Sequence, residues 1–189
     1  MDVFEAIQTR RSVREFSADK IPKEDIEKIL NMGRFAPTAG NIQPWKFLLL
    51  KNTERKEKFK LNLEESISHK INNLEINDKE KEERKKNIKD ALNKIFNAPL
   101  MILLFVDTNT YPDLVIYDGA LAAQNIMLAA HALGYGSSFQ TSFFPERVVK
   151  DYFIIPDNFK FICALPIGKK VNIPDMPDKK PLETFIWKD

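Results

Sequence analysis

Arg10-Arg11-Ser12-Val13-Arg14-Glu15-Phe16 and Pro37-Thr38-Ala39-Gly40-Asn41-Ile42-Gln43-Pro44-Trp45 are the two stretches on which the reading of this chain turns. In the first, three guanidinium groups surround a short hydroxyl. Planar bidentate donors beside a small hydroxyl are what a phosphate requires. Taken alone, the cluster also reads as the solvated end of a helix. The second stretch is a loop of small residues with backbone donors and an amide, leading into a proline, an aromatic and a strand. Such a loop can approach a flat heterocycle closely and offer hydrogen bonds to its polar edge. Taken alone, it also reads as a plain turn with Trp45 in the core.

Around these stretches the chain has the make-up of an ordinary water-soluble protein. It has 189 residues, enough for one well-buried core and short for two. Its formal net charge of +2 gives no chain-wide field for nucleic acid, although a local anion site is compatible with it. One cysteine, Cys163, allows no disulfide within the chain, and its apolar surroundings mark it as a small buried hydrophobe. With only two histidines, His69 and His131, a Cys/His zinc cluster is excluded and no metal is expected. His131 falls in an apolar stretch and reads as a core or interface residue. The N-terminus shows no signal peptide, and no run reaches the roughly 18 apolar residues of a membrane span, so the expected setting is soluble and cytoplasmic.

Val3 to Gln8 reads as a short helix leading into the basic cluster, and a second helix starts at Pro22 and ends before Pro37. Phe47 to Leu50, Leu100 to Val106 and Phe159 to Ile167 are continuous apolar runs, expected as strands covered on both faces. The charged stretch from 53 to 97 reads as two helices. The second keeps a narrow apolar stripe through Ile88, Leu92, Ile95 and Phe96, and its mixed charges mark a solvated face rather than a nucleic-acid helix. Tyr117 to Leu133 is apolar nearly all round, so it must lie in a core or a subunit interface, with Gly134 and Gly136 terminating it. A last short helix is expected from Glu146 to Tyr152. The tail from Val171 to Asp189 carries Pro174, Pro177 and Pro181, yet Leu182, Phe185, Ile186 and Trp187 are too apolar for a free end. An arm that docks, on a second subunit in particular, is the physical reading. The whole is one α+β domain, residues 1–189, with a charged helical insertion at about 53–97.

In this order and at this separation, the two opening stretches resemble the nitroreductase family. That family carries an Arg-Arg-Ser-x-Arg-x-Phe start and a Pro-(Ser/Thr)-x-x-Asn-x-Gln-Pro-Trp loop. Leu133-Gly134-Tyr135-Gly136-Ser137 is similar to the end of the family's central helix. Ile167-Gly168, followed by Lys179-Lys180-Pro181-Leu182-Glu183, is similar to its ending. The resemblance implies an α-β-α sandwich with a central mixed or antiparallel sheet, a buried central helix and a C-terminal arm exchanged in a homodimer. It implies FMN at the subunit interface and a ping-pong oxidoreductase that moves hydride from NAD(P)H through FMN to an acceptor such as a nitroaromatic or quinone. The flavin carries that chemistry, so no catalytic side chain is expected. By the same resemblance Arg10, Arg11 and Ser12 hold the FMN phosphate and Arg14 lies by the pyrimidine edge. Pro37, Thr38, Ala39, Asn41 and, less directly, Gln43 contact the ring from the partner. Lys179 stands where the family often has a phosphate-reaching arginine. The loop Gly136 to Phe144 departs from the family, which often has a tryptophan and glycines there. A flavin-dependent reductive dehalogenase and an FMN sensor or store stay open as alternatives. No nucleic-acid or membrane partner is expected.

Overall fold

In a computed structural model that describes residues 1–187, six helices and four strands follow the chain. They are α1 (Val3–Thr9), α2 (Lys23–Arg34), β1 (Trp45–Leu50), α3 (Thr53–Asn72), α4 (Asp78–Phe96), β2 (Leu100–Asp107), α5 (Val115–Ala132), β3 (Gly136–Ser137), α6 (Glu146–Phe153) and β4 (Phe159–Gly168). The strands form one sheet in the order β1-β2-β4-β3, and every strand pair is antiparallel, so the mixed alternative falls away.

The period of two along β2 builds the layers. Leu100, Ile102, Leu104 and Val106 face one side, where they meet α2 and α5 through Ile29, Ala122, Ala123 and Ile126. Met101, Leu103 and Phe105 face the other, against Phe59 and Leu63 of α3, Leu92 and Ile95 of α4, and Val149 of α6. The helices at 53–97 are therefore not an appendage. Phe59, Leu63, Ile67 and Ile71 recur every fourth residue and roof the second sheet face, while the charged side of α4 stays in solvent. Each helix starts on an asparagine cap: Asn52 accepts from the Arg55 N–H at 2.7 Å and Asn77 from the Glu80 N–H at 2.9 Å.

Three expectations need correction. β1 is an edge strand and only its ends, Trp45 and Leu50, are buried, so it is not covered on both faces. Gly136 does not cap α5 but begins β3. The cap is Gly134, at φ +90°, with its N–H on the His131 carbonyl and the Tyr135 N–H on that of Ala130. Pro22 precedes α2 as its cap residue and is not in its first turn. Of the tail, residues 188 and 189 lie outside the described residues. The remainder is irregular apart from a 3₁₀ turn at Leu182–Phe185, and Leu182, Phe185, Ile186 and Trp187 are exposed on their own protomer.

A register shift between Leu104 and Phe105 inserts an extra residue, Ile162, into β4, so Ile162 and Cys163 both turn toward α5. Ile162 thereby meets Gly119 on α5, where an added Cβ would lie 2.7 Å from Ile162 Cγ1 and 2.9 Å from Val106 Cγ1. Only a residue without a side chain lets the helix sit this close. Cys163 itself is fully buried in the central part of β4, and burial pushes its thiol pKa far up. Overpacking a filled core costs about 1–3 kcal/mol, so Gly119→Ala is expected to lower unfolding stability by that amount in urea titration. Undiminished stability would show that the α5–sheet contact yields without strain.

Candidate functional site

The basic stretch is held flat against the sheet by its own backbone. α1 begins on Asp2, whose carboxylate accepts from the Glu5 N–H at 2.9 Å, and ends as Arg10 turns extended. Beyond it, the Val13 N–H donates to the Ser137 carbonyl at 3.0 Å, and Ser12 bridges Ser137 in a parallel sense. Phe16 bridges Lys170, the Ser17 N–H donates to the Lys169 carbonyl and the Val171 N–H to that of Glu15, both at 3.1 Å. The segment thus adds a short seam to the sheet beyond β3. Val13 and Phe16 point inward and are buried, which leaves Arg10, Ser12 and Arg14 facing outward or half-outward. Gly136 makes the approach possible, since a Cβ there would sit 2.8 Å from Val13 Cβ.

Cations dominate this surface. Arg11 Nη1 donates to the carbonyls of Gln8 (2.9 Å) and Arg10 (3.0 Å), and Arg14 Nη1 to that of Ser12 (3.3 Å). Among the described residues none of Arg10, Arg11 and Arg14 pairs with a carboxylate. Burial and the adjacent Arg11 press the Arg10 pKa below its ordinary value. His131, near the end of α5, feels the same field: burial first, then Lys170, Arg10 and Arg11, lower its pKa. Its ring is oriented by Thr9. The Thr9 hydroxyl gives its one proton to the Glu5 carbonyl at 2.6 Å, so the 2.8 Å contact to His131 Nε2 runs from the imidazole N–H to the hydroxyl oxygen. The hydroxyl of Ser137, buried across from Ser12, has no partner among the described residues.

Beside the seam lies a cleft of about 290 Å³ lined by Ser12, Arg14, Glu15, Lys94, Asn172 and Pro174, among others. Lys94 comes from the last turns of α4 and sits 3.5 Å from Glu15. Neither Lys94 nor Lys170 stood among the sequence candidates. Lys94 is hidden in a run of charges, and Lys170 follows the β4 ending with nothing local to distinguish it.

The second stretch forms a tight surface loop. Its 3₁₀ turn at Ala39–Asn41 is closed by the Asn41 and Ile42 N–H groups on the carbonyls of Thr38 and Ala39, both at 3.2 Å. Asn41 (φ +56°) and Gln43 (φ +48°) are left-handed, a conformation that costs a non-glycine residue of order 1 kcal/mol. The Gln43 side-chain amide is committed to Asn41, donating to its carbonyl (3.3 Å) and to its Oδ1 (3.2 Å). Gln43 therefore braces Asn41. Thr38 accepts from the Gln43 N–H at 3.4 Å, and the Pro44 carbonyl accepts from the Asp107 N–H at 2.9 Å, fixing the loop to the end of β2.

The two stretches touch α5 at different heights. Thr9 meets His131, while α2, just before the loop, meets Asn125, whose side-chain amide donates to the Met32 carbonyl at 3.2 Å. Among the described residues, no hydrogen bond or ion pair joins 10–16 to 37–43. Lys179 lies on the exposed tail. No group of metal-ligating side chains occurs among the described residues, and no helix there is long and apolar enough to cross a membrane.

Known proteins share this sequence pattern and fold. The sequence profile of the Nitroreductase family matches residues 7–169. A protein of Methanothermobacter thermautotrophicus, provisionally named an NADH dehydrogenase/NAD(P)H nitroreductase, is 31% identical over 184 residues, covering 94% of this chain and 82% of its own. The crystal structure of a provisionally named NADH oxidase from Clostridium acetobutylicum superposes with a TM-score of 0.72 at 27% identity, over 95% of this chain and 96% of that one. The structure of oxidised iodotyrosine deiodinase bound to FMN and 3-iodo-L-tyrosine has the same fold, with a TM-score of 0.77 at 24% identity over 96% and 97% of the two chains. The chain belongs to the nitroreductase family.

Proposed function

We propose that this protein is an FMN-dependent oxidoreductase that takes hydride from NAD(P)H and passes it to a small acceptor such as a nitroaromatic or a quinone. The observation that carries the reading is the run of Arg10, Arg11 and Arg14 about Ser12 in the chain, none of which pairs with a carboxylate among the described residues. Unpaired like charges repel one another, and a phosphate would relieve that repulsion. The cleft bounded by Ser12, Arg14 and Lys94 fits the same ligand. FMN, when bound, supplies a ring that accepts hydride at N5 and gives it up again in a second half-reaction. Arg10, Arg11 and Ser12 hold its phosphate in this reading. Arg14 sets the charge at the pyrimidine edge, favouring the reduced anion. Pro37, Thr38, Ala39 and Asn41 present backbone and amide groups to the ring, with Gln43 keeping Asn41 in place. Lys179 is a looser phosphate contact from the arm.

A second copy of the chain belongs to this reading, with the loop at 37–43 reaching the ring from the partner subunit. Exposed apolar side chains on α1 (Phe4, Ile7), α2 (Met32, Phe35) and α5 (Tyr117, Leu121) would be covered by such a partner. The arm's Leu182, Phe185, Ile186 and Trp187 have a matching receptor in the apolar hollow along the β1 edge, about 280 Å³, lined by Phe47, Leu48, Phe105, Ile155, Pro156 and Phe159. A cytoplasmic setting, where NAD(P)H is abundant, goes with the activity.

The purified protein should be yellow and release FMN on denaturation; a colourless protein that cannot be reconstituted with FMN defeats the reading. Bound FMN without NAD(P)H turnover toward any acceptor would mark a carrier or sensor instead. Arg14→Ala is expected to weaken FMN binding about tenfold, the effect of one lost charge-assisted contact, and to lower the flavin potential. An unchanged affinity and potential would remove Arg14 from the site. In the flavin-free protein, inorganic phosphate should raise the NMR-measured pKa of His131, because an anion offsets Lys170, Arg10 and Arg11; no movement at saturating phosphate argues against an anion seat there. Truncation before Pro181 should yield monomers with little FMN affinity in sedimentation velocity. A flavin-loaded dimer without the arm would contradict its exchange.

A further inference from the structure

Lys56 stands in the first turns of α3 with its ammonium buried and without an ion pair among the described residues. Nζ donates to the carbonyl of Ala98 at 2.7 Å and to that of Phe96 at 3.1 Å. Phe96 is the last residue of α4, so its carbonyl is one of the four that a helix leaves without an internal partner. Neither carbonyl accepts another hydrogen bond from the described residues. Burial drives the Lys56 pKa down, the mark of an ammonium held out of water.

These two bonds fix the corner at which α4 turns into β2, and the basic stretch rests on that corner. Ala98 packs with Val13 and Phe16 in one buried cluster. Pro99, the next residue, crowds Gly168 together with Phe16. Lys94, one turn back on α4, faces Glu15 at 3.5 Å. The corner therefore touches the stretch at both of its inward side chains and at its ion pair, while Ser12 and Arg14 project from the same few residues into the cleft.

We propose that Lys56 is a positioning residue for the anion seat: its ammonium pins the α4–β2 corner, and the corner sets the depth at which Ser12 and Arg14 meet the phosphate-bearing ligand. The identity of that ligand rests on the flavin reading above; the mechanical coupling does not. Lys56→Met keeps the length of the side chain and removes the donors, so Phe96 and Ala98 lose their hydrogen bonds with little change of shape.

The test compares full-length wild type and Lys56→Met by FMN fluorescence titration and by amide hydrogen exchange, with circular dichroism as the check on folding. The variant should stay folded, bind FMN about tenfold more weakly, as for one or two lost buried hydrogen bonds, and exchange faster at residues 12–16 as well as at 96–98. Wild-type FMN affinity in the folded variant, or faster exchange confined to 96–98, overturns the proposal. If Lys56→Met does not fold, Lys56→Gln, which keeps one donor group, is held to the same two outcomes. A wild-type protein that takes up no FMN defeats the flavin reading alone, and exchange at 12–16 then decides the role of Lys56.

Discussion

The seam between residues 12–17 and the paired edge formed by Ser137 and residues 169–171 is the contact on which the rest of the site depends. Its bonds are backbone to backbone, so they do not specify which side chains the segment carries; they only hold it extended and fix its register. Register does the remaining work. Val13 and Phe16, three residues apart and held by separate bridges to Ser137 and Lys170, both reach the core, and Ser12 and Arg14 are left on the accessible side. A slip of one residue would put Ser12 or Arg14 in the place of Val13, and Glu15 or Ser17 in that of Phe16. The close packing at Gly136 and Gly168 makes such a slip sterically as well as energetically unfavourable.

Charge follows from that geometry. Fixing Arg10, Arg11 and Arg14 on so short a span, with Lys170 behind them, raises the local potential well above what a net charge of +2 suggests. Carboxylates are plentiful in the chain, yet they pair mainly along exposed helix faces, as in Lys58 with Glu54 and Arg84 with Glu80. Such exposed pairs contribute little to stability. The mobile ions of the surroundings, or a bound anion, are what remain to balance the arginines. The loop at 37–43 is built on the opposite principle. It has no charge of its own and relies on three left-handed residues, Gly40, Asn41 and Gln43, and a braced asparagine side chain to hold its shape.

Much of this was readable in the sequence, because it rests on local pattern. Ile26, Ile29 and Gly33 announce the buried face of α2, and Leu100 to Val106 is apolar because helices cover both sides of the strand. Phe47 to Leu50 misleads for the same reason: its apolarity looks like that of β2, but its place at the sheet edge depends on strand order, which no local window contains. Gly136 fits a helix stop by composition and is instead kept small by Val13, 123 positions earlier in the chain. Lys56 and Lys94 are two among 29 lysines and arginines, and only tertiary structure separates them from the others. The motifs at 10–16 and 37–45 are both recognisable, while the seam that holds the first against Ser137 and Lys169 is not, since its partners lie far along the chain.

Cys163 gives the fold an internal clock. It is the chain's one cysteine, it lies in the middle of β4 beneath α5, and burial keeps its sulfur in the thiol form. Alkylating reagents attack the thiolate, so labelling has to wait until the central strand parts from its neighbours. The rate of modification under native conditions therefore reports how often the whole sheet opens, while fraying of the tail and the strained surface loop leaves it silent. A single native sulfur can thus read global stability, without an introduced probe, in a protein whose proposed ligand would otherwise dominate every optical signal.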